Sequence, residues 1–325
     1  MGDGVDQVTF ADVQEADDRI GNSVRRATVA RIGMDTNVEG ASYDLYFALE
    51  FMQHTGSFKA RGAQNFLRAH REQGSLPDAG VTIASGGNAG LACAWAAQEH
   101  RVPATVFLPE TAPQIKVDRL RSYGADVRLV GVEYAEAQFA CSEFAASSGA
   151  LISHAYDHPL IAAGAGTVMT DILSQVPDLN TVVVAVGGGG LFSGVAAVAH
   201  HHGVQTVAVE PENCRALNAA LGTGSPVDVP VDSVAADSLG ARRVSAMALA
   251  TAQNALVRSV TVSDQAIVQA RQSLWDEYRL VVEHAASTAL AGARGAGDHL
   301  PAPGEKVCVI LCGANTDPAD LVPGR

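Results

Sequence analysis

Two kinds of residue in this chain have the types and spacing to do chemistry together: one lysine and two glycine-rich loops. The lysine lies in His54-Thr55-Gly56-Ser57-Phe58-Lys59-Ala60-Arg61, after a turn and an aromatic residue. Ala60 to His70 reads as a helix, with Phe66 and Leu67 apolar and Arg61 and Arg68 polar. A lysine at a helix start opposes the macrodipole, which favours anions there. Its amine should therefore deprotonate readily, as Schiff-base chemistry requires. Taken alone, the segment fits an ordinary surface lysine at least as well.

The stretch Val184-Ala185-Val186-Gly187-Gly188-Gly189-Gly190-Leu191 changes the balance. Four glycines between a buried strand and a helix let the backbone turn sharply and approach a ligand closely. The loop amides and the helix N-terminus then make a site for an anion such as phosphate. The lysine and serine or threonine of a nucleoside-triphosphate loop are missing, as is the spacing of a dinucleotide fingerprint. A phosphate on a small cofactor fits better. A plain tight turn would not need four consecutive glycines, which are costly in backbone entropy. Ser85-Gly86-Gly87-Asn88-Ala89 occupies the same kind of place, at the carboxyl end of a strand, where open α/β sheets hold their ligands. Ser85 and Asn88 can hydrogen-bond a carboxylate or a ring hydroxyl. Glycine–asparagine turns are common, so this loop is weak evidence by itself.

The elements that must position these loops alternate between strand and helix. Thr9 to Ile20 predicts an amphipathic helix with Thr9 as N-cap, and Ala27 to Met34 and Tyr43 to Phe51 predict strands. Strands are expected at 81–84, 104–108, 127–130, 151–152, 181–186, 206–210 and 306–311. Helices are expected at 91–100, 114–123 with Gly124 as C-cap, 134–147, 161–175, 191–202, 263–278 and 285–296, and 222–234 reads as loop. Such alternation implies parallel strands with helices on their faces. The expected architecture is α/β in two lobes, each an open, mostly parallel sheet flanked by helices. Residues 1–68 with 158–325 form the expected large, cofactor-binding lobe, and 69–157 a small lobe on the substrate side.

Composition narrows the partners. The 325 residues are 47% hydrophobic and 18% charged, as in globular chains, and the net charge is −13. That balance argues against nucleic acid or an anionic membrane as a partner. Five scattered cysteines (Cys93, Cys141, Cys214, Cys308, Cys312) lack paired metal spacing and read as reduced thiols of a cytoplasmic protein. Met1 to Gln14 is acidic and lacks a secretory layout, and no apolar stretch could span a bilayer. The short tail after Asn315 leads us to expect no C-terminal regulatory domain. His200-His201-His202 looks metal-like, but adjacent imidazoles on a helix point in different directions, so a solvated helix end is expected. Glu133 with Glu136, and Arg242-Arg243, read as solvated faces.

In combination, these stretches resemble the fold-type II (tryptophan synthase β-like) pyridoxal-phosphate enzymes, in particular the serine/threonine dehydratases. The likeness rests on 55–62, 85–90, 187–191 and Leu311-Cys312-Gly313-Ala314-Asn315, with weaker likeness at 109–116, 237–240 and 281–293. It implies pyridoxal 5'-phosphate as cofactor and Lys59 as the Schiff-base lysine that also handles the α-proton. It matches Gly187, Gly188, Gly189, Gly190 and Leu191 to the phosphate loop, Asn88 to the partner of the ring 3-hydroxyl, and Phe58 to the ring's aromatic neighbour. Ser85, Gly86, Gly87, Asn88, Ala89 and Thr55 match the substrate carboxylate site. Cys312 falls where the family sets a serine or cysteine against the pyridine nitrogen; a neutral partner there weakens the electron sink and suits β-elimination. The implied reaction converts L-serine or L-threonine to a 2-oxo acid and ammonia, in a homodimer. β-Replacement, racemisation, or an idle member binding a phosphorylated ligand are the alternatives.

Four departures from the family pattern bear on substrate and metal. Serine racemases carry a second serine, acting as a base, where this chain has Gly86, so racemisation is disfavoured. The usual Glu-Pro before the late helix is Glu283-His284, and a common histidine is Ala89. Glu210 to Cys214 resembles the family's cation loop, with Ala216 in place of its acidic residue. A monovalent cation such as K+ at Glu210 and Cys214 is the implied occupant.

Overall fold

The computed structural model describes residues 7–37 and 39–322; the first six residues of the acidic N-terminus lie outside them. The chain runs α1 (Phe10–Ile20), β1 (Val29–Thr36), β2 (Ser42–Ala48), α2 (Lys59–Glu72), β3 (Val81–Ala84), α3 (Asn88–His100) and β4 (Ala104–Leu108). Next come α4 (Gln114–Ser122), β5 (Asp126–Leu129), α5 (Tyr134–Ser148), β6 (Leu151–Ile152), α6 (Pro159–Gln175), β7 (Thr181–Ala185) and α7 (Gly190–His201). The last third holds β8 (Gln205–Pro211), α8 (Ala216–Thr223), α9 (Ala236–Leu239), α10 (Ala246–Ala252), β9 (Val257–Val262), α11 (Asp264–Tyr278), α12 (His284–Ala293) and β10 (Lys306–Ile310).

The strands segregate into a six-stranded sheet, ordered β1-β2-β10-β7-β8-β9, and a four-stranded sheet, ordered β5-β4-β3-β6. Among the described strands, β1 and β2 pair antiparallel and every other strand pairing is parallel. Strands β3, β4 and β7 are buried at every residue, which is why they read as unbroken apolar runs. Two consequences of this order matter for function. β10 lies beside β7, so the turn after β10 (Leu311 to Asn315) and the glycine loop after β7 emerge side by side. The Ser85–Gly87 loop leaves the carboxyl end of β3, in the second sheet.

The helices that back the large sheet cross at very short range. An added Cβ on Gly166 of α6 would lie 2.6 Å from the Gly194 carbonyl of α7. At Gly62 of α2 it would lie 2.6 Å from the Ile161 carbonyl of α6. α2 thus packs between the small-sheet helix α3 and the large-sheet helix α6.

Several expectations shift in detail. β2 ends at Ala48 rather than near Phe51, and two single helical turns, Glu50–Met52 and His54–Gly56, lead to α2. The reason is ionic: Glu50, fully buried, accepts Arg61 Nε at 2.6 Å, and Arg61 also reaches Asp171 at 2.7 Å, Thr167 Oγ1 at 2.9 Å and the Arg25 carbonyl. α3 starts at Asn88, three residues early, and α8, α9, α10 and β9 escaped the sequence reading altogether. Glu133 and Glu136 form a capping box at the start of α5. No helix among the described residues is long and apolar enough to cross a membrane.

Removing Arg61 would strand the Glu50 carboxylate in the core, a loss of about 3–5 kcal/mol for a broken buried pair. Urea unfolding of Arg61→Ala tests this. A loss below about 1 kcal/mol, the value of an exposed pair, would contradict it.

Candidate active site

Lys59 opens α2, and its approach is pinned to the turn after β10 by backbone hydrogen bonds. Ser57 bridges Gly313, the Phe58 amide donates to the Cys312 carbonyl at 3.0 Å, and the Ala314 amide donates to the Gly56 carbonyl at 3.0 Å. The turn itself is unusual. Thr55 sits at φ 61, in the left-handed region, and its carbonyl accepts Asn315 Nδ2 at 2.7 Å. Lys59 Nζ donates to the Ala155 carbonyl at 2.6 Å and lies 4.8 Å from the centre of the Phe58 ring. Burial lowers its pKa to about 8, while Cys312 and Glu283 act the other way.

The chain contains only three lysines, Lys59, Lys116 and Lys306. Lys116 pairs with Asp237 at 2.7 Å, and Lys306 pairs with Asp178. Lys59 is therefore the one lysine whose amine is desolvated and has no carboxylate bonded to it among the described residues.

The glycine loop fits closely around its neighbours. An added Cβ would lie 2.2 Å from the Tyr156 ring at Gly188, 2.2 Å from Ala248 Cβ at Gly189, and 2.7 Å from the Tyr156 carbonyl at Gly190. Gly189 also has φ 97 and serves as the N-cap of α7, with no side chain bonding the free amides of the first turn. The Ala155-Tyr156 pair thus touches Lys59 with one residue and the loop with the next. Leu191 is buried in the core below.

Across the site, Ser85 to Ala89 are half-buried between β3 and α3, and Gly87 caps α3 without a side-chain hydrogen bond. Asn88 Nδ2 donates to both oxygens of Glu283, at 2.9 and 3.0 Å, and Asn88 Oδ1 accepts Asn315 Nδ2 at 2.6 Å. Glu283 also accepts the Asn315 amide at 2.8 Å; burial raises its pKa and the Asn88 bond lowers it. Burial pushes the Cys312 thiol well above its ordinary range, with Glu283 adding to the effect, so it stays S–H. The hydroxyls of Thr55 and Ser57 are buried and have no partner among the described residues.

The contacts therefore bring together Thr55, Phe58, Lys59, Asn88, the glycine loop and Cys312. Glu210 and Cys214 stand elsewhere, at the end of β8 and the start of α8. Glu210 accepts the Leu217 and Asn218 amides, both at 2.8 Å, and burial raises its pKa to about 8. No group of three or more histidine, cysteine or acidic side chains among the described residues is placed to hold a metal. Of the histidine triplet, His201 stacks on Phe10 at 3.8 Å. The sequence reading missed the roles of Glu283, Asn315, Ala155 and Tyr156. A lone acid between Leu280 and the alanine-rich α12 was the available signal for Glu283.

A phosphate fits the glycine cradle and the uncapped N-terminus of α7, and a carbonyl fits the desolvated amine of Lys59. The family model described as pyridoxal-phosphate dependent enzyme matches residues 32–313. The chain belongs to the pyridoxal-phosphate-dependent enzymes, of fold type II. It is 35% identical over 309 residues to an L-threonine ammonia-lyase of Geobacter sulfurreducens, covering 94% of this chain and 75% of the relative. A serine dehydratase-like protein of Homo sapiens is 36% identical over 288 residues, covering 85% of this chain and 86% of the relative. The structure of maize serine racemase superposes with a TM-score of 0.86 at 27% identity, covering 97% of this chain and 96% of that one.

The lowered lysine gives a pH signature in the cofactor-free protein. Between about 8 and the ordinary 10.5, the unfolded chain holds a proton on Lys59 that the folded chain lacks, so stability rises with pH across that window. The difference in unfolding free energy between wild type and Lys59→Met should rise from pH 8 to 10.5. A flat difference would contradict the desolvated amine.

Proposed function

We propose that this enzyme is an ammonia-lyase that removes the β-hydroxyl of L-serine or L-threonine and yields a 2-oxo acid and ammonia. The observation that carries the reading is Lys59: the chain's single desolvated lysine, set between a phosphate-sized glycine cradle and a thiol that stays neutral.

Bound pyridoxal phosphate supplies the electron sink that acidifies the substrate's α-carbon. Gly187 to Gly190 and the first amides of α7 would hold its phosphate, Asn88 would meet the ring oxygen, and Phe58 would lie beside the ring. Cys312, as neutral S–H, would give the ring nitrogen no proton and so would suit loss of a β-leaving group. Ser85, Gly86, Gly87, Asn88, Ala89 and Thr55 receive the substrate carboxylate, helped by the uncapped N-terminus of α3. Lys59 Nζ would be the attachment point and, when the substrate amine is in place, would act as the base for the α-proton. Loss of water leaves an enamine, whose hydrolysis returns one water and gives the oxo acid and ammonia.

Gly86, where the resemblance to serine racemases would put a second serine, has no proton to give. A side chain there would start 2.8 Å from Leu108 Cδ2, so Leu108 would have to shift to admit one. This favours elimination over racemisation, even though a racemase is among the structural neighbours. The division of labour follows the sheets: residues 1–68 and 158–325 hold the cofactor, and 69–157 present the substrate loop. We also assign a monovalent cation, such as K+, to Glu210 beside Cys214. A cation would keep that buried carboxylate ionised, and each of its oxygens retains a lone pair beyond its amide bond. All five cysteines are free and buried, which fits a reducing cytoplasm, and a homodimer is the proposed assembly.

Purified enzyme given serine or threonine alone should release 2-oxo acid, and Lys59→Ala should lower kcat by about a thousand-fold or more, in the range for a lost acid–base group. Turnover that needs a second nucleophile would point instead to β-replacement. Chiral analysis of the serine reaction should find no D-serine beside the oxo acid. Accumulating D-serine would contradict this reading of Gly86.

A further inference from the structure

The Asn88 amide has a defined polarity in this structure, and following its partners leads away from the site to a surface arginine. Asn88 Oδ1 accepts from Asn315 Nδ2 at 2.6 Å, while Asn88 Nδ2 donates to the Glu283 carboxylate. Turning the amide over would set its oxygen against a carboxylate and its NH2 against another NH2, two repulsive pairs in place of two bonds. Asn315 is fixed by the same logic. Its Oδ1 accepts Arg119 Nη2 at 2.7 Å, and a guanidinium only donates, so Nδ2 must face inward to Thr55 O and Asn88 Oδ1. The fit around Asn315 is tight: a Cβ on Gly56 would lie 2.8 Å from its Oδ1.

Arg119 stands on α4, packed with α3 over the four-stranded sheet, whereas Asn315, Thr55 and Glu283 belong to the six-stranded body. Three residues before Arg119, Lys116 reaches Asp237 of the large body at 2.7 Å, so the same helix is tied twice across the seam. Docking of α4 and the polarity of Asn88 therefore meet in one side chain.

We propose that Asn315 is a positioning residue: through it, Arg119 sets the direction in which Asn88 presents its amide to the cofactor ring. This rests on the reading of Asn88 as the ring-oxygen contact. When α4 is seated, Arg119 holds Asn315 in one orientation, and Asn315 with Glu283 holds Asn88 in one orientation. When α4 is unseated, Asn315 loses the donor that fixes its Oδ1 outward and keeps only its inward bonds to Thr55 and Asn88, so the ring's donor is held by fewer contacts. Seating of the small lobe thus registers directly at the cofactor without any residue of α4 touching it.

The test measures the pyridoxal-phosphate dissociation constant and the absorbance band of wild type, Arg119→Met, Asn315→Ala and the double variant. Asn315→Ala should weaken cofactor binding about ten-fold and shift the band, as expected for a coupled hydrogen-bond network. Arg119→Met should weaken binding in the Asn315 background and have no further effect once Asn315 is alanine. Asn315→Asp keeps the acceptor for Arg119 and lacks both inward donors. It should retain hydrogen-exchange protection of α4 yet lose affinity like the alanine variant, which keeps the proposal testable if Asn315→Ala fails to fold. Independent, additive effects of Arg119→Met and Asn315→Ala, or loss of thermal stability with unchanged affinity and band, would overturn the proposal. A wild type that binds no cofactor at all would overturn the functional reading, and this relay with it. A wild type that binds normally beside unaffected variants would overturn the relay alone.

Discussion

The site depends on one constraint: the chain from Thr55 to Lys59 is clamped onto the turn that follows β10. Two backbone hydrogen bonds make the clamp, and beside them Asn315 bonds the carbonyl of Thr55, a threonine in a left-handed conformation that L-residues rarely adopt. Because β10 lies next to β7, the clamp places Lys59 beside the glycine loop. Because α2 begins at Lys59, the lysine is carried into the interior instead of out to solvent, and desolvation shifts its amine toward neutrality. Geometry and reactivity thus follow from the same few hydrogen bonds. The buried Glu50–Arg61–Asp171 cluster, two residues further along α2, secures the helix from its other side.

Around this lysine the protein keeps neutral what must be neutral. Cys312 stays protonated because it is buried and faces an acid, and no lysine other than Lys59 is free of a carboxylate partner among the described residues. The glycines at 188, 189 and 190 are required for space as much as for backbone freedom, since side chains there would collide with Tyr156 and Ala248. Tyr156 thereby links the position of the glycine loop to that of the lysine's carbonyl partner, Ala155.

Much of this was legible in the sequence. Strand–helix alternation gives the two parallel sheets because fully buried strands must be apolar throughout, and Lys59 and the glycine loop stand out because few structural needs call for those residues in those places. What escaped has a common physical reason. Glu283 and Asn315 act through contacts to Asn88 that span 195 and 227 positions of chain, and no local pattern encodes such a pairing. β9 was missed because its half-exposed Val257–Val262 pattern follows directly on a short helix and a turn, without the flanking glycine or proline that marked other strands. The end of β2 was misplaced because a buried ion pair, not propensity, turns the chain at Glu50.

The most direct test of the account is to reconstitute the protein with pyridoxal phosphate, reduce it with borohydride and map the modified peptide. Only three lysines compete. The account predicts an absorbance band near the Schiff-base region and a label on Lys59, with Lys116 and Lys306 unmodified. No band, or a label on either ion-paired surface lysine, would contradict the central claim that burial and the β10 clamp make Lys59 the reactive amine.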